Sequence, residues 1–244
     1  MNDQEYQTIH ELEHRYWWHI GRRYIVKTIL KKYLSTNGNQ LILDIGCGTG
    51  GNFNTLRDFG KVVGVDNSKQ ALEFAQQKGH TETVVASAID LPFTDQKFNC
   101  VVMLDVLEHI EDDYSALEEA YRVLKPNGGF LLTVPAYQWL WSGHDEALGH
   151  IRRYVKNKII KKVIDAGFYI EFQSYAISIL FPIIALYRLV TRTSKMEQTS
   201  SYVVVPEFMN SFFMWLLCIE GLMFRLGINL PFGTSIVIYA SKRD

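Results

Sequence analysis

The stretch Leu43-Asp44-Ile45-Gly46-Cys47-Gly48-Thr49-Gly50 is the one from which the fold can be read. Residues Leu41 to Ile45 are short, apolar and followed at once by glycines, which marks a buried strand running into a tight turn. Glycines there let the backbone approach a ligand closely, and the helix that follows offers unpaired N–H groups. Outward from this point, a segment with helical spacing (Phe53, Leu56, Phe59) leads to a second strand, Lys61 to Val65. The alternation then repeats. Helix Lys69 to Lys78 precedes strand Thr83 to Val85, strand Asn99 to Leu104 precedes helix Tyr114 to Leu124, and Gly128 and Gly129 introduce strand Phe130 to Val134. Strands and helices at this spacing predict right-handed crossovers and an α/β fold whose parallel sheet is covered on both faces. Upstream, Gln4 to Tyr33 reads as one helix ended by Asn37 and Gly38. Downstream come a loop from Pro135 to Tyr154, a helix carrying Ile159, Ile160, Val163 and Ile164, the segment Tyr169 to Tyr175, two apolar stretches and a closing edge or returning strand Ser235 to Ala240.

The carboxylates around the glycine turn point to its ligand. Asp66 ends the second strand, where a carboxylate can take both hydroxyls of an adenosine ribose. That suits a dinucleotide or S-adenosylmethionine. Asp44 favours the second, because an acid just before the first glycine would repel a pyrophosphate yet could neutralise a ligand's ammonium group.

From Leu41 to Val134 the chain resembles the class I S-adenosylmethionine-dependent methyltransferases in five blocks in order: LDIGCGTG, GVDNS, AIDLPF, FNCVVMLDVLEHIEDD and LKPNGGFLLTVP. The resemblance implies a Rossmann-like three-layer αβα sandwich whose seven-stranded, mainly parallel sheet has an antiparallel last strand. It implies S-adenosylmethionine as cofactor, with Gly46, Cys47 and Gly48 along its methionine part and Asp44 near its amino group. Asp66 would hold the ribose, Asn67 would lie beside the adenine, Ile89 and Asp90 would meet the adenine edge, and Leu104 and Asp105 would lie beside the methionine and sulfonium. The rest resembles a bacterial subset with an N-terminal Trp-Trp and Arg-Arg helix, here Trp17, Trp18, Arg22 and Arg23, and a His-Asp and Arg-Arg-Tyr segment, here His144, Asp145, Arg152, Arg153 and Tyr154. The implied parts are a helical cover at 1–38, a cofactor-binding core at 39–175, a helical cap at 176–231 and a last core strand at 232–244.

For the reaction, proton removal from an acceptor hydroxyl calls for a base. His109, after the fourth strand, and His144, in the loop after the fifth with Asp145 able to orient its imidazole, are the candidates. Trp18, Arg22, Tyr137, Arg152, Arg153 and Tyr154 are assigned to the acceptor pocket, the arginines for an anionic group on the acceptor. The acid-x-x-Glu-His spacing of Asp105, Glu108 and His109 is similar to the metal-binding segment of ubiquinone-biosynthesis O-methyltransferases, but the same letters occur in many methyltransferases without metal, and none is expected. The expected reaction is methyl transfer to an oxygen of a small or lipid-linked acceptor such as a sugar or phenol. N- or C-methylation of a small molecule, a nicotinamide-dependent oxidoreductase and a non-catalytic adenosyl-cofactor-binding protein are the alternatives.

Composition narrows the rest. The 244 residues suit one large domain, and a net charge of -1 argues against a protein that blankets nucleic acid. Beneath that average, basic runs from Arg15 to Lys32 and from Arg152 to Lys162 are set against an acidic stretch from Asp105 to Glu119. Three widely spaced cysteines give neither a disulfide framework nor a zinc cluster, and the polar, acidic N-terminus is unlike a signal peptide, so a cytoplasmic location is expected. Tyr175 to Val190 and Phe212 to Phe224 are dense in apolar residues but interrupted by Pro182 and Glu220, short of a membrane span. They fit a cap over the site, a homodimer interface, or a membrane-surface contact beside Arg188, Arg192 and Lys195.

Overall fold

A computed structural model describes residues 3–34, 40–191, 202 and 205–243. Asn37, Gly38, Arg192 and Lys195, and the expectations resting on them, lie outside these residues. Seven strands form one sheet: β1 (Gln40–Ile45), β2 (Gly60–Asp66), β3 (Thr83–Val85), β4 (Phe98–Leu104), β5 (Leu124–Pro135), β6 (Tyr169–Ala176) and β7 (Ser235–Ser241), in the order β3-β2-β1-β4-β5-β7-β6. The first five strands pair in parallel, and β7 runs antiparallel between β5 and β6, as expected.

Strand periodicity builds two cores. Ile42, Val62, Cys100, Val102, Leu131 and Val237 face one side of the sheet, and Leu43, Ile45, Val101, Met103, Leu132 and Ile238 face the other. Successive strand residues point to opposite faces, so a run such as Leu41 to Leu43 is apolar at every position because both faces are covered. One cover is made by α2 (Trp17–Tyr33), α3 (Phe53–Arg57) and α9 (Glu207–Arg225); the other by α5 (Asp113–Val123) and α7 (Lys156–Asp165).

The N-terminal segment is not one helix. It breaks into α1 (Asp3–Leu12) and α2, with Glu13 to Tyr16 as a turn between them. The break has a cause in buried charge. Glu13 is buried and its carboxylate accepts from Thr49 Oγ1 (2.7 Å) and from Lys78, while its carbonyl accepts from Arg23 (2.7 Å). A straight helix could not deliver that carboxylate to the glycine turn. The helix α2 then lies against α9 so closely that a Cβ on Gly21 would overlap Leu217 and one on Gly221 would meet Tyr24 at 2.7 Å. Tight helix contact of this kind requires glycine at the crossing.

The second apolar stretch also departs from expectation. At 19 residues, α9 is long and apolar enough to cross a membrane by length and composition, because Glu220 does not interrupt it. Glu220 is completely buried and accepts backbone N–H groups of Ile177, Ser178 (2.7 Å) and Ile179 (3.3 Å), in the turn between β6 and α8 (Phe181–Thr191). Burial pushes its carboxyl up, and the three N–H groups pull it back down. The single acid thus fastens α9 to the sheet. Glu220→Ala would leave those donors unpaired at about 1–3 kcal/mol for each that water does not reach. The expected loss is about 2–4 kcal/mol, or roughly 5–15 °C in the midpoint of thermal unfolding followed by circular dichroism, with Glu220→Gln recovering about half.

Candidate active site

The carboxyl ends of β1, β2 and β4 meet where the strand order turns back, with β1 between β2 and β4. Ligands of open α/β sheets bind in the crevice at such a point. The turn after β1 is fixed by Gly46 N–H and Cys47 N–H, which both donate to the Val65 carbonyl (2.7 and 3.0 Å). Gly46 has φ +67°, and a Cβ there would collide with Val106. Gly48 has φ +53°, and nothing lies within 4 Å of the position its Cβ would take. The first glycine is therefore required by packing, and the second leaves open space beside bare backbone.

Asp66 closes β2 and accepts from Gly48 N–H and Ser68 N–H, each at 2.9 Å, which offsets part of the rise that burial imposes on its carboxyl. Asn67 follows it and is exposed. Ile89 and Asp90, also exposed, lie in the loop after β3, the strand paired with β2 through Asp66 and Val85. Asp44 is completely buried, and neither of its oxygens has a hydrogen-bond partner. Burial pushes its carboxyl up to about 7, against a downward pull from Arg22 and a further rise from Asp66. Cys47 is buried, with its thiol raised by burial and by these two acids, so it packs and does not act as a nucleophile.

Leu104 ends β4, buried, and Asp105 follows with φ +58°. Asp105 accepts from Arg22 of α2 and from Thr133 Oγ1 (3.2 Å). The Arg22 guanidinium lies 4.4 Å from the ring centre of Trp18, and its Nε is buried without a partner. Of the first tryptophan pair, Trp17 packs against Phe213 in the core, while Trp18 is half-buried at the mouth. Tyr137 stacks on Tyr175 (5.1 Å) and meets Phe181 at the start of α8, on the opposite rim.

The acidic stretch and the second basic run meet at Asp113, whereas Arg153 pairs with Asp145 beyond that stretch. Asp145 is completely buried and accepts from Arg153 (2.8 Å), His150 (2.9 Å) and Arg188 (3.2 Å). Burial alone would raise its carboxyl, yet these three groups hold it well below the usual range. Asp113 takes Arg152 (3.1 Å), Lys162 and the Tyr154 hydroxyl (3.0 Å). Arg152, Arg153 and Tyr154 are therefore consumed by structure and do not present free donors to an anionic acceptor. Arg188 is likewise turned inward and is not on an outer basic face. Asp145 orients His150, whereas His144, half-buried on α6 (Gly143–Leu148), is not the imidazole it holds.

His109 is exposed and its Nδ1 lies 3.2 Å from the Gly149 carbonyl. Partial loss of water around the ring and the neighbouring His150 lower it to about 4, so it is neutral at physiological pH. Glu108, beside it, is completely buried, and neither oxygen has a hydrogen-bond partner. The Glu13–Thr49–Lys78 clamp under the glycine turn has no signature in the sequence, because it joins residues from three separate segments. The Asp105–Glu108–His109 donor set is not assembled, since Asp105 is taken by Arg22.

Comparisons with known proteins agree with this geometry. Residues 43–132 match the family model described as a methyltransferase domain. A protein of solved structure from Bacillus halodurans C-125, provisionally named a methyltransferase, is 25% identical, with 90% of this chain and 99% of that one covered at a TM-score of 0.58. The ubiquinone/menaquinone biosynthesis C-methyltransferase of Cronobacter sakazakii is 33% identical over 144 residues, 53% of this chain and 56% of that protein. The demethylmenaquinone methyltransferase of Oceanobacillus iheyensis is 35% identical over 107 residues, 40% of this chain and 45% of that protein. The chain spans about half the length of the curated relatives it matches. Residues 43–132 thus match a methyltransferase domain, and they run from β1 to β5 of the sheet described above.

The state of Asp44 gives a pH signature. Its folded value of about 7 lies above the unfolded value of about 4, so the folded chain keeps a proton that the unfolded chain has lost between those limits. Stability from this group is full below pH 4 and declines as pH rises through 7. Asp44→Asn is expected to flatten that decline and to be more stable than the parent at pH 8 by up to a few kcal/mol, read from denaturant unfolding at pH 5 and pH 8.

Proposed function

We propose that the protein transfers a methyl group from S-adenosylmethionine to an oxygen of a small or lipid-linked acceptor. The observation that carries the cofactor reading is the bare, buried Asp44 carboxylate beside a glycine turn with open space at Gly48. A buried carboxylate with no hydrogen-bond partner costs several kcal/mol unless a ligand's cation compensates it. A cationic ligand with an amino group and a ribose fits this donor set, and a pyrophosphate beside Asp44 does not.

In this reading the cofactor lies along Gly46, Cys47 and Gly48, with its amino group toward Asp44 and Asp105 and its ribose on Asp66. Asn67, Ile89 and Asp90 border the adenine. When bound, the cofactor supplies an electrophilic methyl on a sulfonium, its own leaving group. The protein then has to hold the acceptor in line with the methyl–sulfur bond, a positioning effect worth on the order of 7–11 kcal/mol. Trp18, Arg22 and Tyr137 line the acceptor side. His109, neutral above about pH 4, is the base for the acceptor proton, and His144 on α6 is the second candidate.

The acceptor class draws support from the outer surface. Ile183, Leu186 and Val190 of α8 and Phe208, Phe212, Trp215, Leu222 and Leu226 of α9 are exposed at helical spacing. Apolar stripes beside the mouth suit a cytoplasmic enzyme that meets a lipid-linked acceptor at a membrane surface. The relatives named for quinone methylation favour carbon as the second possible acceptor atom.

Calorimetric titration is expected to show micromolar S-adenosylmethionine binding and no NAD binding, and Asp66→Ala is expected to weaken the cofactor at least 30-fold. Tight NAD binding, or an unchanged cofactor affinity in Asp66→Ala, refutes the assignment. Incubating cell extract with methyl-labelled cofactor places the label in the organic phase if the acceptor is lipid-linked, and mass analysis of the product separates an O-methyl ether from a C-methyl group.

A further inference from the structure

We propose that Glu108, His109 and His150 bind a divalent transition-metal cation. Glu108 and His109 come from the short 3-10 turn after β4, and His150 from the loop after α6, forty-one residues beyond His109 in the chain. One donor atom of each lies within 4.8 Å of the others. In a metal site, ligand atoms about 2.0–2.2 Å from the ion stand on the order of 3–4 Å apart, so a small inward turn of side chains completes it.

Three observations make this more than a chance gathering. Glu108 is a completely buried carboxylate with two unpartnered oxygens. The nearby arginines do not answer it by hydrogen bond: Arg22 is held by Asp105, and Arg153 by Asp145 and the Ala136 carbonyl. His150 Nε2 lies 3.9 Å from Glu108 Oε1, too long for a hydrogen bond and wide enough for an ion between them. Finally, both imidazoles are oriented through their far nitrogens. His150 Nδ1 meets Asp145 Oδ1 at 2.9 Å and His109 Nδ1 meets the Gly149 carbonyl at 3.2 Å, so in each ring Nδ1–H can donate and Nε2 keeps its lone pair. Carboxylates and carbonyls behind metal-bound histidines fix tautomer and orientation in this way. His109 is exposed and leaves the ion an entry path and an open coordination position.

The donor set selects the ion. Two neutral imidazoles and one carboxylate suit zinc, cobalt, manganese or ferrous iron, and suit magnesium poorly because it prefers oxygen donors. This set differs from the Asp105-x-x-Glu108-His109 spacing in the sequence: Asp105 is withdrawn by Arg22, and a second imidazole takes its place. Under the proposed methyl transfer, on which only this consequence rests, an ion here occupies His109 Nε2, so His109 serves as base only in the metal-free chain and the ion instead binds an acceptor oxygen and lowers its pKa.

The test uses the tag-free, chelator-treated full chain titrated with cobalt, zinc or magnesium salts alone, followed by calorimetry and, for cobalt, by visible absorption. One equivalent of cobalt is expected to bind with the absorption of a nitrogen- and oxygen-ligated site, to be displaced by zinc, and to be left in place by millimolar magnesium. His150→Ala and Glu108→Gln are each expected to weaken binding at least 10-fold, with far-ultraviolet circular dichroism confirming the fold, and the exposed His14→Ala to leave it unchanged. No saturable binding, or binding unaltered in both His150→Ala and Glu108→Gln, overturns the proposal. Cofactor affinity of the chelated chain, measured separately, reports on the methyltransferase reading, so the two can fail independently.

Discussion

Negative charge buried at one end of the sheet is the constraint around which this protein is organised. Asp44, Asp66, Glu108 and Asp145 are all buried, and Asp105 is nearly so, close to the carboxyl ends of the central strands. Each carboxylate there must be compensated or protonated, because an isolated buried charge costs several kcal/mol. The chain meets the demand in three ways. Asp66 takes backbone N–H groups, Asp105 and Asp145 take cationic side chains, and Asp44 and Glu108 receive no hydrogen bond at all. Burial raises the last two, so each is met either by a proton or by a ligand.

Much of the fold was legible because each layer has a local signal. The glycine turn at Gly46 to Gly50, the doubly apolar strands and the spacing of their helices specify a parallel sheet, and every predicted strand lies within two residues of its observed bounds at all but the glycine-led start of β5. Asp44 and Asp66 were legible as candidate ligand residues for the same reason: their places follow from strand ends and a turn next to them in the chain.

What could not be read depends on partners far apart in sequence. Arg152, Arg153 and Tyr154 look like free anion-binding groups until the fold brings them to Asp113 and Asp145. The opposing charge runs that seemed to flank an acceptor touch only at Asp113, and their other paired members find partners elsewhere, as Asp105 does in Arg22 and Arg153 in Asp145. Glu220 reads as a break in an apolar helix, although its carboxylate serves N–H groups more than forty residues away. The N-terminal helix reads as continuous because its break answers to Thr49 and Lys78, not to any helix stop signal at Glu13. Periodicity reports which face is apolar; it carries no information on which buried polar atom meets which.

Asp145 has a consequence for how the parts move together. One carboxylate caps α6, holds the His150 imidazole beside Glu108, ties Arg153 to the end of β5 and grips Arg188 on α8. A displacement of α8 therefore either takes Arg188 from Asp145 or carries Asp145 with it. The first leaves the Arg188 guanidinium with the neutral Leu140 carbonyl in place of a carboxylate; the second turns His150 away from Glu108. The helix α8, which bears exposed Ile183, Leu186 and Val190, is thus joined through one carboxylate to the imidazole beside Glu108.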